Sequence, residues 1–139
     1  MSEENFADAF NAANTPFAKK IGVRMTLVTK SRVEAELDVT PDHCTLPTGL
    51  HGGAIMAFAD NVAACGAVMN LPEGATTTTI ESKTNFLRPA PVGDRVRAIA
   101  IPVSLGRTLQ VWRTDIFRAD GKQVAVVTQT QMVILGAAR

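Results

Sequence analysis

The sequence predicts an α+β domain in which a curved, mostly antiparallel sheet of five to six strands wraps one long central helix. Three observations carry this. Residues 49–70, GLHGGAIMAFADNVAACGAVMN, are small and apolar, with no lysine or arginine and a single carboxylate, Asp60. A helix that is hydrophobic almost all round has to be covered on several sides rather than laid on a surface. Its alanines at 54, 57, 59, 63, 64 and 67 let other backbone approach it closely. Before it, RVEAELDVT at 32–40 alternates without error, with Val33, Ala35, Leu37 and Val39 on one face and Glu34, Glu36, Asp38 and Thr40 on the other. That is the pattern of a half-buried antiparallel strand. After it come four β-rich stretches separated by turn signals.

Taken in order, Ser2 is a candidate N-cap with Glu3 and Glu4 in the first turn, where they suit the helix dipole. Phe6, Phe10 and Ala13 then share a face, and Pro16 stops the helix by disfavouring helical geometry at Thr15. Residues 1–15 therefore read as an N-terminal flap helix. Residues 22–29 are the hairpin partner of the alternating strand, with Lys30 and Ser31 at the turn. The loop PDHCTLPTGL leads into the central helix, expected from Gly52 to Met69 and ended by NLPEGA. Strands follow at Thr76–Phe86, Asp94–Ser104, Thr108–Arg118 and Gln123–Leu135. They are joined by RPAPVGD, LGR and ADGK, the last carrying an Asp-Gly hairpin signal. No repeat, linker or low-complexity segment interrupts the chain, so residues 1–139 read as one domain.

Composition narrows the function classes. With 46% hydrophobic and 19% charged residues the chain is globular rather than disordered. A net charge of +1 gives no field toward nucleic acid or an anionic membrane. The two cysteines, Cys44 and Cys65, form no disulfide framework, and Cys65 lies within the apolar run as a small buried residue. A reducing, cytoplasmic setting is expected. No CxxC, HExxH or His/Cys cluster occurs, so no metal is expected. The N-terminus lacks the basic start and apolar run of a signal peptide. The central helix is borderline in length for a membrane span. It carries His51, Asp60 and Asn61, however, and a central Asp costs roughly 2.5–3.5 kcal/mol on insertion scales. It is read as buried in protein.

A helix opening with HGG (51–53) and continuing FADN (58–61), then a strand ending NFLRPAPVGD (85–94), resembles the hotdog-fold acyl-CoA thioesterases, specifically the PaaI-like branch. The resemblance runs from about Pro16 to Ile134. It implies a hotdog fold, hydrolysis of acyl-CoA thioesters, and a dimer with a continuous sheet, often paired into a tetramer. Coenzyme A is then part of the substrate and no separate cofactor is needed.

The chemistry can be argued beside the resemblance. Thioester hydrolysis needs a polarised carbonyl and either an activated water or a carboxylate nucleophile. A helix N-terminus offers free N–H groups and positive potential, and glycine lets substrate approach the backbone, so Gly52 and Gly53 suit an oxyanion site. Asp60 is the only acid of the segment, as base or as nucleophile. Gly52 and Asp60 are eight residues apart, roughly 12 Å along a helix axis. One reacting carbon cannot meet both on a single helix, whereas two antiparallel copies across a two-fold axis bring the amide of one chain to the acid of the other. The resemblance implies such shared sites. It also implies that Thr79 holds the attacking water and that His51 orients the loop or the leaving group. Thr45 stands where relatives often have a carbonyl-polarising Asn, and Arg88 and Arg107 lie near the CoA phosphates. Asn61, Met56 and Phe86 are further candidate substrate contacts, with Phe58 and Met69 as possible wall residues. Two alternatives stay open: Asp60 as a structural acid, and a non-catalytic acyl-CoA binder on the same fold.

Overall fold

The computed structural model describes residues 2–136. The apolar run folds over the bounds that its composition gives, as α3 (Gly52–Met69), and six strands flank it in the chain: β1 (Arg24–Val28), β2 (Val33–Asp38), β3 (Thr76–Phe86), β4 (Arg95–Leu105), β5 (Leu109–Phe117) and β6 (Gln123–Ile134). They form one sheet in the order β1-β2-β4-β5-β6-β3, and every pairing is antiparallel. The helix joins β2 to β3 and so carries the chain from one side of the sheet to its far edge.

Alternation decides which side chains meet α3. Val33, Ala35 and Leu37 of β2, Val96, Ala98 and Ala100 of β4, Trp112 and Ile116 of β5, and Val127 of β6 are buried. They meet the buried helix residues Ile55, Phe58, Ala59, Val62, Ala63, Gly66 and Ala67. Phe58 is thus core, not the wall of a substrate pocket. The outer face carries ion pairs such as Arg97–Glu34 (2.9 Å) and Arg113–Asp115 (3.0 Å). Exposed pairs of this kind add little to stability.

The expectation of a fully wrapped helix is not met within one chain. Gly53, Met56 and Val68 are exposed, and Ala57, Asp60, Asn61 and Ala64 are only half-buried. The sheet covers one side of α3 and leaves a flank of mostly small residues open.

The N-terminus also departs from the expected flap helix over 1–15. The first helix, α1, spans only Ala7–Ala12, and Ser2 does not cap it. The residues before it lie along β1 instead. Phe6 N–H donates to Val28 O (2.9 Å), Val28 N–H donates to Asn5 Oδ1 (2.9 Å), and Asn5 Nδ2 donates to Thr26 O (3.0 Å). This pairing satisfies backbone groups along β1 that a helix could not reach, and it blocks that edge. Pro16 does end the first helix, but it also starts a second, α2 (Pro16–Ile21), with Thr15 as N-cap. Proline at the first helical position is favourable because its missing N–H needs no partner there.

Helix and sheet come closest at Gly66. A Cβ there would lie 2.5 Å from the ring of the fully buried Trp112. The indole N–H donates to Gln110 Oε1 (2.9 Å), and Gln110 Nε2 reaches Ala67 O (3.4 Å). These contacts fix the height of α3 over the sheet, and with it the position of Asp60 on the same helix. Gly66→Ala is therefore expected to destabilise the protein by about 1–3 kcal/mol through overpacking. The urea midpoint checks this; an unchanged midpoint would mean that the helix shifts freely.

Candidate active site

Asp60 projects toward the β3/β6 edge of the sheet. Its Oδ1 accepts from Thr79 Oγ1 (2.6 Å) and from Gln129 Nε2 (3.1 Å). Thr79 Oγ1 in turn accepts from Gln131 Nε2 (2.7 Å), and Thr77 Oγ1 lies 3.1 Å from Gln131 Oε1. Oδ2 has no hydrogen-bond partner among the described residues. The acid is thus held by one oxygen through two neutral donors, and its other oxygen is free.

Simple alternation from Thr77 turns Thr79 inward, and a bulge follows it. The register of β3 against β6 slips between Thr79 and Glu81. Strict alternation from Thr77 would turn Glu81 and Lys83 inward. With the extra residue at Ile80, Ser82 and Thr84 turn inward instead, and Glu81 and Lys83 are exposed. The helix-facing edge of β3 is therefore a row of hydroxyls, Thr77, Thr79, Ser82 and Thr84. Bulges commonly re-aim side chains in this way beside functional sites.

At the helix N-terminus each glycine of HGG has its own steric reason. His51 is the N-cap, and its Nδ1 accepts from Gly53 N–H (2.8 Å). A Cβ on Gly53 would lie 3.1 Å from that nitrogen, and a Cβ on Gly52 would lie 3.2 Å from the ring of Phe86. This revises the expected donor set. The Gly53 amide is occupied by His51, so His51 acts as a helix cap, whereas the Gly52 amide has no partner among the described residues. Because Nδ1 accepts, the neutral imidazole carries its proton on Nε2.

Gly52, Phe86 and Arg88 share a groove of about 340 Å³ with Leu50, Ile55, Leu87 and Pro89. Arg88 is exposed and donates to Gln123 O (3.1 Å). Arg88 and Arg107, both expected near the CoA phosphates, lie far apart within one chain. Arg107 lies in the turn between β4 and β5, near the end of the sheet where Leu109 meets Met132, whereas Phe86 meets Ala125 at the other end. The length of β3, about 33 Å at roughly 3.3 Å per residue, separates these ends.

Other expected residues also lie apart from Asp60. Met56 is exposed on the open flank of α3 and does not share the groove of Phe86. Asn61, the next residue, instead lines an apolar groove of about 460 Å³ between α1 and α3 together with Phe10 and Cys65. Burial pushes the Cys65 thiol up to about 12, so it stays protonated near neutral pH and is no nucleophile. Thr45 is exposed, and its N–H donates to Gly49 O (2.9 Å), closing the loop before the helix.

Gln129 and Gln131 were not singled out from the sequence. The available signal was their position: two amides on the face of β6 that otherwise carries Val127 and Val133.

Known proteins agree with this architecture. The family described as the thioesterase superfamily matches residues 49–125. A protein of Haemophilus influenzae that carries an esterase name is 35% identical over 116 residues, 82% of each chain. The 1,4-dihydroxy-2-naphthoyl-CoA thioesterase 2 of Arabidopsis thaliana is 31% identical over 102 residues, 73% of this chain and 64% of that one. The phenylacetic acid degradation protein PaaI of Thermus thermophilus superposes with a TM-score of 0.79 at 27% identity, over 85% of this chain and 98% of that one. With its six-stranded antiparallel sheet around α3, the chain belongs to the thioesterase superfamily, as a hotdog-fold protein of the PaaI-like branch.

Proposed function

We propose that the protein hydrolyses acyl-CoA thioesters to the free acid and CoA, with Asp60 as general base and the Gly52 amide of a second copy as oxyanion donor. The observation that carries this reading is the carboxylate of Asp60, held on Oδ1 by Thr79 and Gln129 with Oδ2 free. Membership of the thioesterase superfamily supports thioester hydrolysis. The Arabidopsis relative, named for an acyl-CoA substrate, supports CoA as the thiol.

In the proposed reaction Oδ2 takes a proton from a water as the water attacks the thioester carbonyl. The oxygen turned oxyanion is met by the Gly52 N–H and the positive end of α3. Collapse expels the CoA sulfur, which takes the proton that Oδ2 had accepted, so Asp60 is again a carboxylate when the acid and CoA leave. Acting through a water leaves Asp60 on its two donors, whereas direct attack on the carbonyl would pull it away from them. Thr79 uses its proton on Asp60, so its part is to hold the acid rather than to donate to water.

The second copy follows from two uncovered features. β3 is an edge strand of 11 residues, paired only to β6, and unlike β1 it has no other segment along its free edge among the described residues. Beside it runs the open flank of α3, with Gly53, Ala57 and Ala64 small enough for close helix packing. Pairing β3 to β3 across a two-fold axis covers both, and brings the Gly52 of one copy toward the Asp60 of the other. Arg88, beside Gly52, then suits the CoA phosphates.

Release of free thiol from a panel of acyl-CoAs tests the reading. Turnover of at least one member is expected, and tight binding without turnover would favour the non-catalytic binder. Arg88→Ala should raise KM roughly 5–20-fold with kcat nearly unchanged, since a phosphate contact is the same in ground and transition states. Arg107→Ala is measured beside it, because pairing of β3 to β3 brings the partner's β4–β5 turn toward the Phe86 end, and an unchanged KM in both variants would place the nucleotide elsewhere.

A further inference from the structure

Gln129 and Gln131 are each 1% exposed and sit on the inner face of β6 beneath Asp60. We propose that they are positioning residues that hold Asp60 in its working orientation, Gln129 directly and Gln131 through Thr79. This rests on the reading of Asp60 as the base.

The direction of each bond follows from the acid. An ionised carboxylate only accepts, so Thr79 must give it its single hydroxyl proton. The Thr79 oxygen then accepts, which requires Gln131 to present Nε2, as it does at 2.7 Å. Gln129 must likewise turn its Nε2 to Oδ1, and this leaves its Oε1 buried with no hydrogen-bond partner. A buried carbonyl without a partner costs free energy, and an apolar side chain of the same length would pack there without that cost. Packing alone therefore does not explain a glutamine at 129; the donor it gives to Asp60 does.

The neutrality of the donors matters as well. Helix-facing positions of β2 to β6 carry no lysine, arginine, aspartate or glutamate among the described residues. Glu34, Glu36 and Asp115 all pair outward with arginines. Amides fix the plane of the carboxylate without setting a full positive charge against the oxygen that has to accept a proton. With Oδ1 doubly held, Oδ2 is the only oxygen left to act.

The test is steady-state kinetics and thermal unfolding of Gln129→Met and Gln131→Met, each also made in an Asp60→Asn background. For Gln129→Met, kcat should fall about tenfold or more, the order of one charge-assisted hydrogen bond. KM should stay within about twofold, because no substrate contact is removed. The melting temperature should be equal or higher, since the unpaired Oε1 is gone. Gln131→Met should show a smaller loss with the same split, and it keeps the test open if Gln129→Met does not fold. In the Asp60→Asn background neither change should lower the residual rate further.

Wild-type kcat in both single variants would overturn the positioning role while leaving Asp60 as base. So would equal losses with and without the Asp60 carboxylate, which is what a general folding defect gives. Full activity of Asp60→Asn alone would overturn both readings together.

Discussion

Asp60→Asn is expected to lower kcat for the best acyl-CoA by about 10²–10⁴, the worth of general-base assistance, while KM changes little. The structure makes this a clean substitution. The Asn carbonyl can accept the same two bonds that Thr79 and Gln129 give to Oδ1. The amide nitrogen then stands where Oδ2 stood, as a donor that cannot take a proton from water. Folding should be unaffected or slightly improved, because a half-buried charge becomes a neutral group of the same shape. Far-UV circular dichroism and a melting curve check this. Hydrolysis within a few-fold of wild type, or failure of the variant to fold, would make Asp60 a structural residue.

Gly52→Pro is expected to have the second largest effect. Gly52 is the first residue of α3, where proline is favourable, and His51 before it has ψ 139, a value that a pre-proline residue adopts readily. The substitution therefore deletes one N–H and leaves the helix in place. Loss of a single oxyanion donor costs on the order of 10²–10³ in kcat. Gly52→Ala is the control. It brings the same Cβ close to the Phe86 ring but keeps the N–H. Phe86 is 55% exposed and can give way, so the alanine variant should stay within several-fold of wild type. Equal losses in the two variants would assign the effect to crowding rather than to the amide.

Much of the fold was legible because composition and period say directly what they bury. An apolar run without lysine or arginine and strands of period two gave α3 and six strands within a residue or two of their ends. The lone acid and the HGG turn marked the candidate site for the same reason: both break the local pattern. What was missed depends on residues far apart in the chain. The extended stretch before α1 is fixed by Asn5 and Phe6 bonding to β1, some twenty residues on. The inward turn of Ser82 and Thr84 comes from a bulge that only pairing with β6 reveals. Arg88 and Arg107 both flank turns, and only the strand order shows that the turns lie at opposite ends. Gln129 and Gln131 read as ordinary strand residues until β6 is placed under Asp60. The occupied amide of Gly53 follows from a side-chain cap by His51, a residue type that no capping preference points to.

The claim that Asp60 and Gly52 act together from different chains has a direct test. Asp60→Asn and Gly52→Pro chains, each carrying a different affinity tag, are co-expressed, and the mixed assembly is purified through both tags. If the site is shared, one of the two sites in each mixed dimer combines an intact Asp60 from one chain with an intact Gly52 from the other. Such a dimer should recover about half of the wild-type kcat, because two-fold symmetry gives one good site in two. If each chain builds its own site, every site in the mixture has a defect. The mixed assembly would then be no more active than its parents, and the shared-site account would be contradicted.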